Sequence, residues 1–412
     1  MISNRTIYIG LASRSDAEVR PAAILKLSRR GVVESSQFAY GNGFLAAPDA
    51  LALNPLHLPL GSDVLGIAER RVRDGGALPL TLRDALPDAW GRQVLESQQG
   101  KTLDDIDVLL LTNAHRVGAM TFAEVLPIQP QPADADLFSL NEMSDAVKRL
   151  EFAMEIPLHL RRLLNKGGSL GGARPKADFI HDKERWIAKF PANGDDHDVE
   201  LLEAAVLELA ALCGIDVSPH KLERTHSGHA LLVQRFDRVG NIDDERRIHY
   251  LSASALLNVP YQSNGGSYIE FAQVIRKISA KPEYDLHQLY RRMVFNLIID
   301  NTDDHVKNHG MLHVKGNQYQ LSPAFDVVMQ LTNVHYQALA ISPGNNLSKL
   351  SLAIQAAPHF GIHTQAAKAL IDDIAQQASL QLLPIIEKLG GDAVLMRRVQ
   401  QCLDRQIAFV YD

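Results

Sequence analysis

The chain has 412 residues, of which 46% are hydrophobic and 22% charged, enough for two or three packed units around a sizeable core. Its net charge of −6, from 42 basic and 48 acidic residues, argues against nucleic-acid binding through overall charge and leaves only a local basic patch, such as Arg161, Arg162 and Lys166. There is no apolar run of about 18 residues to cross a membrane, and the first residues, MISNRTIYIGLASRSD, lack the basic-then-apolar pattern of a signal peptide. Cys213 and Cys402 form no CxxC pair and sit in apolar, helix-like stretches, so the expectation is a cytoplasmic chain with reduced, buried thiols and no membrane partner.

The early segments RTIYIGLA, AAILKLS and SQFAYG alternate apolar and polar residues and read as strands. Residues 81–98 read as helical with Pro87 near a kink or start; DIDVLLLTNA reads as a helix and GAMTFAEVL as a strand. Three prolines within 126–138 mark a linker. SLNEMSDAVKRLEF follows as a helix capped by Ser139 or Asn141. After the glycine-rich GGSLGGARPK come two strands, ADFI and RWIAKF, joined by the polar turn HDKE. DVELLEAAVLELAALCG has a 3.6-residue apolar period and stops at Gly214 as a C′ glycine. HKLERT and HALLVQRF read as a hairpin around Ser227-Gly228. Beyond about residue 250 nearly everything reads as helical (LSASALLN, SYIEFAQVIRKIS, DLHQLYRRMVFNLIID, HTQAAKALIDDIAQQAS, LQLLPIIEKL, AVLMRRVQQCLDRQIAFV), except a hairpin MLHV-KGN-QYQL.

The chemistry is written in NTDDHVKN. Asp303 and Asn308 stand at D-x-x-x-x-N spacing, that of a protein-kinase catalytic loop, where the aspartate takes the acceptor's proton and the asparagine holds Mg²⁺. The hairpin then leads into SPAFD, delivering Asp326 as a second Mg²⁺ carboxylate. Upstream, the glycine loop 167–172 can turn backbone N–H groups toward phosphates. Lys189 on its strand can reach the same phosphates and pair with Glu203 on the next helix; the backbone from Gln234 to Phe236 falls where an adenine-binding hinge belongs.

Each item has a plainer reading: a flexible turn for the glycines, solvated side chains for Lys189 and Glu203, turn or cap residues for Asp303 and Asp304, a core position for Phe236. His305 and His309 have the i, i+4 spacing of a metal-ligand pair, but no third or fourth ligand accompanies them, and His305 reads first as support for the loop. The order of the set, rather than any single member, favours phosphoryl transfer with ATP and Mg²⁺.

Those residues carry a resemblance. ALNPLHLPL, ALPDAWGRQVL and HRVGAMTF in the first part, then SLGGARPKADF, the Lys189 strand, LLEAAVLELAALCGI, VQRFDR, NTDDHVKNHG and SPAFDVV, are similar in order to the motifs of the HipA family of bacterial toxin–antitoxin serine/threonine kinases. The resemblance implies an α+β, two-lobed, protein-kinase-like fold with a β-rich N-terminal subdomain (1–125), an ATP-binding part of the core (139–245) and an all-helical C-terminal lobe with the catalytic loop (246–412). It implies Asp303 as catalytic residue, Asn308 and Asp326 as metal ligands, and Lys189 at the phosphates. Ser169–Lys176 resembles the phosphate-binding loop, with Gly171, Gly172, Ala173 and Lys176 toward the nucleotide and Ser169 as the autophosphorylated serine whose new charge ejects the loop. Gln234 and Phe236 fall at the adenine, Asp237 at the ribose, and His305 and Lys307 are counted with the nucleotide-binding set. Arg174-Pro175 departs from the Gln-Glu of some relatives, and Asp304 occupies a slot that is often small.

The same resemblance implies a helix-turn-helix antitoxin partner, DNA met only through that antitoxin, and a protein substrate in translation, such as an aminoacyl-tRNA synthetase. Two other readings use the same residues: a kinase-like corepressor without catalysis, and a small-molecule kinase. Retention of Lys189, Asp303, Asn308 and Asp326 together favours an active enzyme.

Overall fold

The computed structural model describes residues 2–13, 19–72, 75–112, 114–130, 138–152, 154–155, 174–263 and 265–412. Ser169, Gly171, Gly172 and Ala173, with Arg161, Arg162 and Lys166, lie outside those residues.

The N-terminal strands form as their alternation requires. β1 (Ile2–Leu11), β2 (Pro21–Arg30) and β3 (Val33–Tyr40) pair antiparallel, and with β4 (Leu65–Arg71) and β5 (Met120–Ala123) make a sheet ordered β4-β3-β2-β1-β5. On β2, Ala23, Leu25 and Leu27 point into the core while Lys26 and Ser28 face water. The β2–β3 turn needs only two residues because Gly31 adopts φ 62°. After the short α1 (Asn42–Leu45), the stretch read as one helix over 81–98 splits into α2 (Leu80–Arg83) and α3 (Ala89–Gln99). Pro87 has no N–H to donate and disfavours helix in the residue before it, so the chain breaks there and α3 restarts after Asp88. α4 (Asp105–Leu111) is capped by Asp104, which accepts from Asp107 N at 2.8 Å.

α5 (Leu140–Glu151) opens with a capping box: Ser139, not Asn141, is the cap, and Glu142 reaches back to it. β6 (Lys176–His181) and β7 (Glu184–Lys189) join through Asp182 and Lys183, both at positive φ, and pair with β8 (His220–Thr225) and β9 (Gly228–Gln234) in the order β6-β7-β9-β8. Along β9 the period of two sends Ala230 and Leu232 to a core shared with Trp90, Val147 and Trp186, and Leu231 to the larger core of the helical part. α6 (Val199–Leu212) is apolar on nearly every side and is correspondingly buried. It ends as the sequence predicts: Gly214 takes φ 72°, and the amides of Gly214 and Ile215 fold back onto Ala211 O and Ala210 O.

A ribbon of β10 (Arg238–Val239) and β11 (Arg246–Arg247) leads into the helical lobe. That lobe holds α7 (Ala253–Leu257), α8 (Tyr268–Ile278), α9 (Pro282–Ile298), α10 (Leu350–Ala356), α11 (Thr364–Lys388) and α12 (Ala393–Tyr411), with a small sheet ordered β12-β13-β14. The expected hairpin is β13 (Gly310–Lys315) and β14 (Gln318–Leu321); its third strand, β12 (Tyr250–Ser252), takes up the start of a stretch read as wholly helical. Ser252 ends that strand and caps α7, accepting from Ala255 N at 3.1 Å. Gly310 lies so close under Tyr250 that a Cβ would sit 2.3 Å from its hydroxyl. Two segments read as separate helices are the single α11, continuous through Pro384, because Ala378, Leu382, Ile385 and Ile386 keep burying one face past it.

Candidate active site

Lys189 ends β7 and Glu203 lies on the second turn of α6, so strand and helix bring the two side chains together. Lys189 Nζ donates to Glu203 Oε1 at 2.6 Å and to Asp326 Oδ1 at 2.7 Å. Burial pulls the Lys189 ammonium down, but Asp326 and Glu203 outweigh it and hold the group above the ordinary lysine range. Asp326 lies well below the usual carboxylate range; Lys189 is the main cause, burial opposes it, and Lys176 and His305 add to the lowering. Asp326 itself sits at φ 58°, a left-handed turn just after β14 that swings its carboxylate back toward the strand lysine.

Lys176, the first residue of β6, is buried beside this group. Burial and then the Lys189 charge lower its ammonium, while Asp326, Glu203 and Asp88 work to raise it. Just upstream, Arg174 grips Asp195 with two N–H groups at 2.8 and 2.7 Å and Glu200 at 2.8 Å, tying the end of the glycine-rich segment to the first turn of α6. The departure from Gln-Glu noted in the sequence is therefore an ion-paired anchor.

The segment from Asp303 to Asn308 follows α9. Asp304 is buried; it accepts from the Tyr268 hydroxyl and from His309 Nε2 at 3.0 Å, and its carbonyl accepts from Leu339 N at 2.7 Å. With Asp304 fixed inward, the adjacent Asp303 faces outward and is exposed. Its carboxyl is raised, first by desolvation and then by Asp326 and Asp304, against the lowering effect of His305. Asn308 is buried and its Nδ2 donates to Asp303 O at 3.3 Å. The His305 ring lies 5.5 Å from that of Tyr261. His309 is committed to Asp304, so the two histidines do not converge on a metal; among the described residues no group of three or more His, Cys, Asp or Glu could hold one.

The segment after Asp326 is strapped down. Asp300, at φ 58°, accepts from the amides of Thr332 and Asn333 at 3.0 and 2.9 Å. Asn333 Nδ2 then donates to Cys402 O and Gln406 Oε1 on α12, and the His335 ring stacks on Phe409 at 3.7 Å. Cys402 is buried beside Asp300, and Cys213 is buried as well, both as free thiols.

Three sequence expectations change here. Asp237 does not face a ribose: it is 3% exposed, and its oxygens accept from Arg235, Arg238 and Gly118 N. Lys307 does not point to a nucleotide; its ammonium pairs with Asp88 of the N-terminal subdomain and lies 5.1 Å over the Tyr261 ring. At the hinge, the amides of Gln234 and Arg235 are spent on Pro219 O and Arg185 O, and the Gln234 side chain on Glu184, which leaves Phe236 as the hinge amide to consider. The Phe236 ring packs against Phe325 at 5.2 Å, next to Asp326. Sequence reasoning missed Asp84, Asp88 and Trp90; the only signal was the place of Asp88 and Trp90 inside ALPDAWG, with Asp84 just before it.

Comparison with known proteins bears on the family and the fold. A family model described as the HipA-like C-terminal domain matches residues 168–382, just over half of the chain. The candidate kinase Y4mE of Sinorhizobium fredii is 32% identical over 160 residues, covering 37% of this chain and 36% of that protein. The candidate kinase Y4dM of the same organism is 24% identical over 235 residues, 53% of this chain and 56% of that protein. The chain thus spans between about a third and just over half of the length of these curated relatives. Among solved structures, the HipA toxin of Shewanella oneidensis MR-1, in complex with HipB and its operator DNA, superposes with a TM-score of 0.66 at 15% identity, over 98% of this chain and 96% of that one.

Proposed function

The chain belongs to the HipA-like C-terminal domain family, and from that premise we propose that it is an ATP-dependent serine/threonine protein kinase that serves as the toxin of a toxin–antitoxin module. One observation carries the reading: Lys189 Nζ is bonded at once to Glu203 and Asp326, while Asp303 stands exposed across from them with its carboxyl raised. A kinase needs both a strand lysine held by a helix glutamate and a metal-facing aspartate. The naming of its relatives as candidate kinases supports the same reading.

Lys189 and Lys176 would face nucleotide phosphates, with Glu203 holding Lys189 in place. Asp303 accepts the proton of the attacking hydroxyl, and its raised carboxyl makes it the better base. Asp326 and Asn308 offer one carboxylate and one amide oxygen, which suits Mg²⁺, an ion that fills most of its shell with water and phosphate. Bound there, Mg²⁺ would supply charge neutralisation at the transferring group. Gln234 and Phe236 line the adenine end, and His305 lies beside Asp303 and Asp326 and lowers both carboxyls. Ser169, with Gly171, Gly172 and Ala173, is assigned to the phosphate loop and its autophosphorylation. The acceptor we assign is a protein of translation. The likeness to a HipA bound to HipB and operator DNA supports a helix-turn-helix antitoxin partner, with DNA met through it. No helix among the described residues is long and apolar enough to cross a membrane, in keeping with the cytoplasmic setting we assign.

The test is mass spectrometry of phosphatase-treated protein after incubation with Mg²⁺ and ATP, beside Asp303→Ala. Phosphate within 167–176 on the wild type alone is the expected result, and Ser169→Ala should remove it. Nucleotide binding without any phosphate gained by the chain or by added protein acceptors would overturn the kinase reading in favour of a corepressor.

A further inference from the structure

Lys176 and Lys189 on the four-stranded sheet and Asp303 and Asn308 on the helical lobe are the two halves of the cleft of the proposed kinase, and the break between α2 and α3 places a short acidic stretch of the N-terminal subdomain against both. On the helical side, Asp88 pairs with the Lys307 ammonium, one residue from Asn308 and four from Asp303. Asp84 accepts from Ser252 N at 2.7 Å and Ser252 Oγ at 2.5 Å, at the junction of β12 and α7. On the strand side, Trp90 Nε1 donates to Lys176 O at 3.0 Å, and its ring fills the core beneath β6 and β7 with Ala177 and Ala188. Asp88 is also within electrostatic reach of the Lys176 ammonium. A single carboxylate therefore lies in the field of one lysine from each half of the cleft, and the residues on either side of it are bonded to the same two halves.

We propose that Asp88, flanked by Asp84 and Trp90, is a positioning residue that braces the two halves of the cleft at a fixed separation through its pairing with Lys307. The physical need is plain. Lys189 and Lys176 sit on the strand side, Asp303 and Asn308 on the helical side, and in-line transfer tolerates little error in the distance between them. The Lys189–Asp326 contact also crosses the cleft, but it lies inside it, where substrate phosphates compete for the lysine. The Asp88 brace is built from groups flanking the reacting set, so it can persist through turnover. It also gives Lys307 a role that does not touch the nucleotide.

The inference rests on the kinase reading for its catalytic readout, so the test has two arms. In the first, full-length Asp88→Asn and Lys307→Met are compared with wild type for transfer rate and for affinity toward a fluorescent ATP analogue with Mg²⁺. The expected result is a fall in kcat of about 10- to 100-fold, with nucleotide affinity changed less than about threefold. Asp88→Glu should recover most of the loss, and the exchanged pair Asp88→Lys with Lys307→Asp should recover part. An unchanged kcat overturns the proposal; so does a parallel fall in kcat, affinity and Tm with no recovery in Asp88→Glu or the exchanged pair. The second arm needs no activity: hydrogen exchange of Asp88→Asn should quicken both in residues 176–181 and in 302–309. Faster exchange confined to α3 overturns the brace even if the chain proves to transfer no phosphate.

Discussion

Two clusters of charge lie within this molecule, and they use the same chemistry to opposite ends. At the seam between the N-terminal subdomain and the four-stranded sheet, Arg185, Arg235 and Arg238 surround Asp178, Asp237 and Glu245. Guanidinium groups left over after these pairs, on Arg235, Arg238 and Arg247, donate to the carbonyls of Ala114, His115, Arg116, Gly118 and Met120. The Asp178 side chain is 0% and that of Arg235 1% exposed, so the seam is closed. In the cleft, Lys189 is likewise shared between two acids, yet the Asp326 side chain is 39% exposed and Asp303 faces solvent. In the seam His115 and then Arg185 and Arg235 force Asp178 down against burial, and Arg235 and Arg238 do the same to Asp237; in the cleft Asp303 is pushed up. A saturated cluster fixes geometry, while one left open on one side keeps groups available for chemistry.

That contrast can be broken by substitution. The largest effect is expected at the open end of the cleft: Asp303→Asn should lower the phosphoryl-transfer rate by about 10²- to 10⁴-fold while leaving Tm unchanged. A similar loss of Tm would move Asp303 into the structural class. Next comes the seam, where Asp178→Ala takes one acid from both Arg185 and Arg235, leaving them Glu245 and Asp237, and should cost about 3–5 kcal/mol in urea unfolding; a loss below about 1 kcal/mol would mean that the remaining acids and the carbonyls suffice without it. Glu203→Gln should be milder, because Lys189 keeps Asp326: a loss of about 1.5–3 kcal/mol of transition-state stabilisation, read as kcat/KM, with the fold retained.

The smallest effect is one of sign with pH. Asp178 and Asp237 lie well below the ordinary carboxylate range, so the stability they contribute is present above about pH 4 and is lost as pH falls below it. Asp84 runs the other way. Burial pushes it up to about 6, against its bonds from Ser252 and the charge of Lys307, with Asp88 adding to the rise. Its contribution is full below about pH 4 and is lost as pH rises through about 6. Asp84→Asn should therefore flatten the decline in Tm between pH 4 and 6 without altering the loss at lower pH.

Much of this arrangement was legible in the residues. The strands β1 to β3, the β6–β7 and β8–β9 hairpins and α6 follow from periodicity and turn chemistry, because each is determined by its own neighbours. Lys189, Glu203 and Asp326 were legible as a set only through their order along the chain. What sequence hides is which of two adjacent acids faces in: Asp303 and Asp304 differ only because Tyr268 and His309 claim the second. Asp237 and Lys307 were misjudged for the same reason. Lys307 pairs with Asp88, more than two hundred residues away, and Asp237 is closed in by its neighbours Arg235 and Arg238 together with the distant Gly118 amide, a burial that no local pattern announces.

The strap after Asp326 has a consequence for timing. Its anchors, Cys402, Gln406 and Phe409, belong to α12, which leaves the ribosome after every element that it secures. The strap in turn is bonded to the segment that carries Asp303, Ala338 N donating to Thr302 O and Leu339 N to Asp304 O. While the chain emerges, its earlier elements can fold as they appear, and Tyr268 and His309 can already hold Asp304, but the strap that lies against Thr302 and Asp304 gains its own anchors only when α12 docks. Docking of α12 is thus a late step that ties the chain's last helix to the segment carrying Asp303 and Asp304.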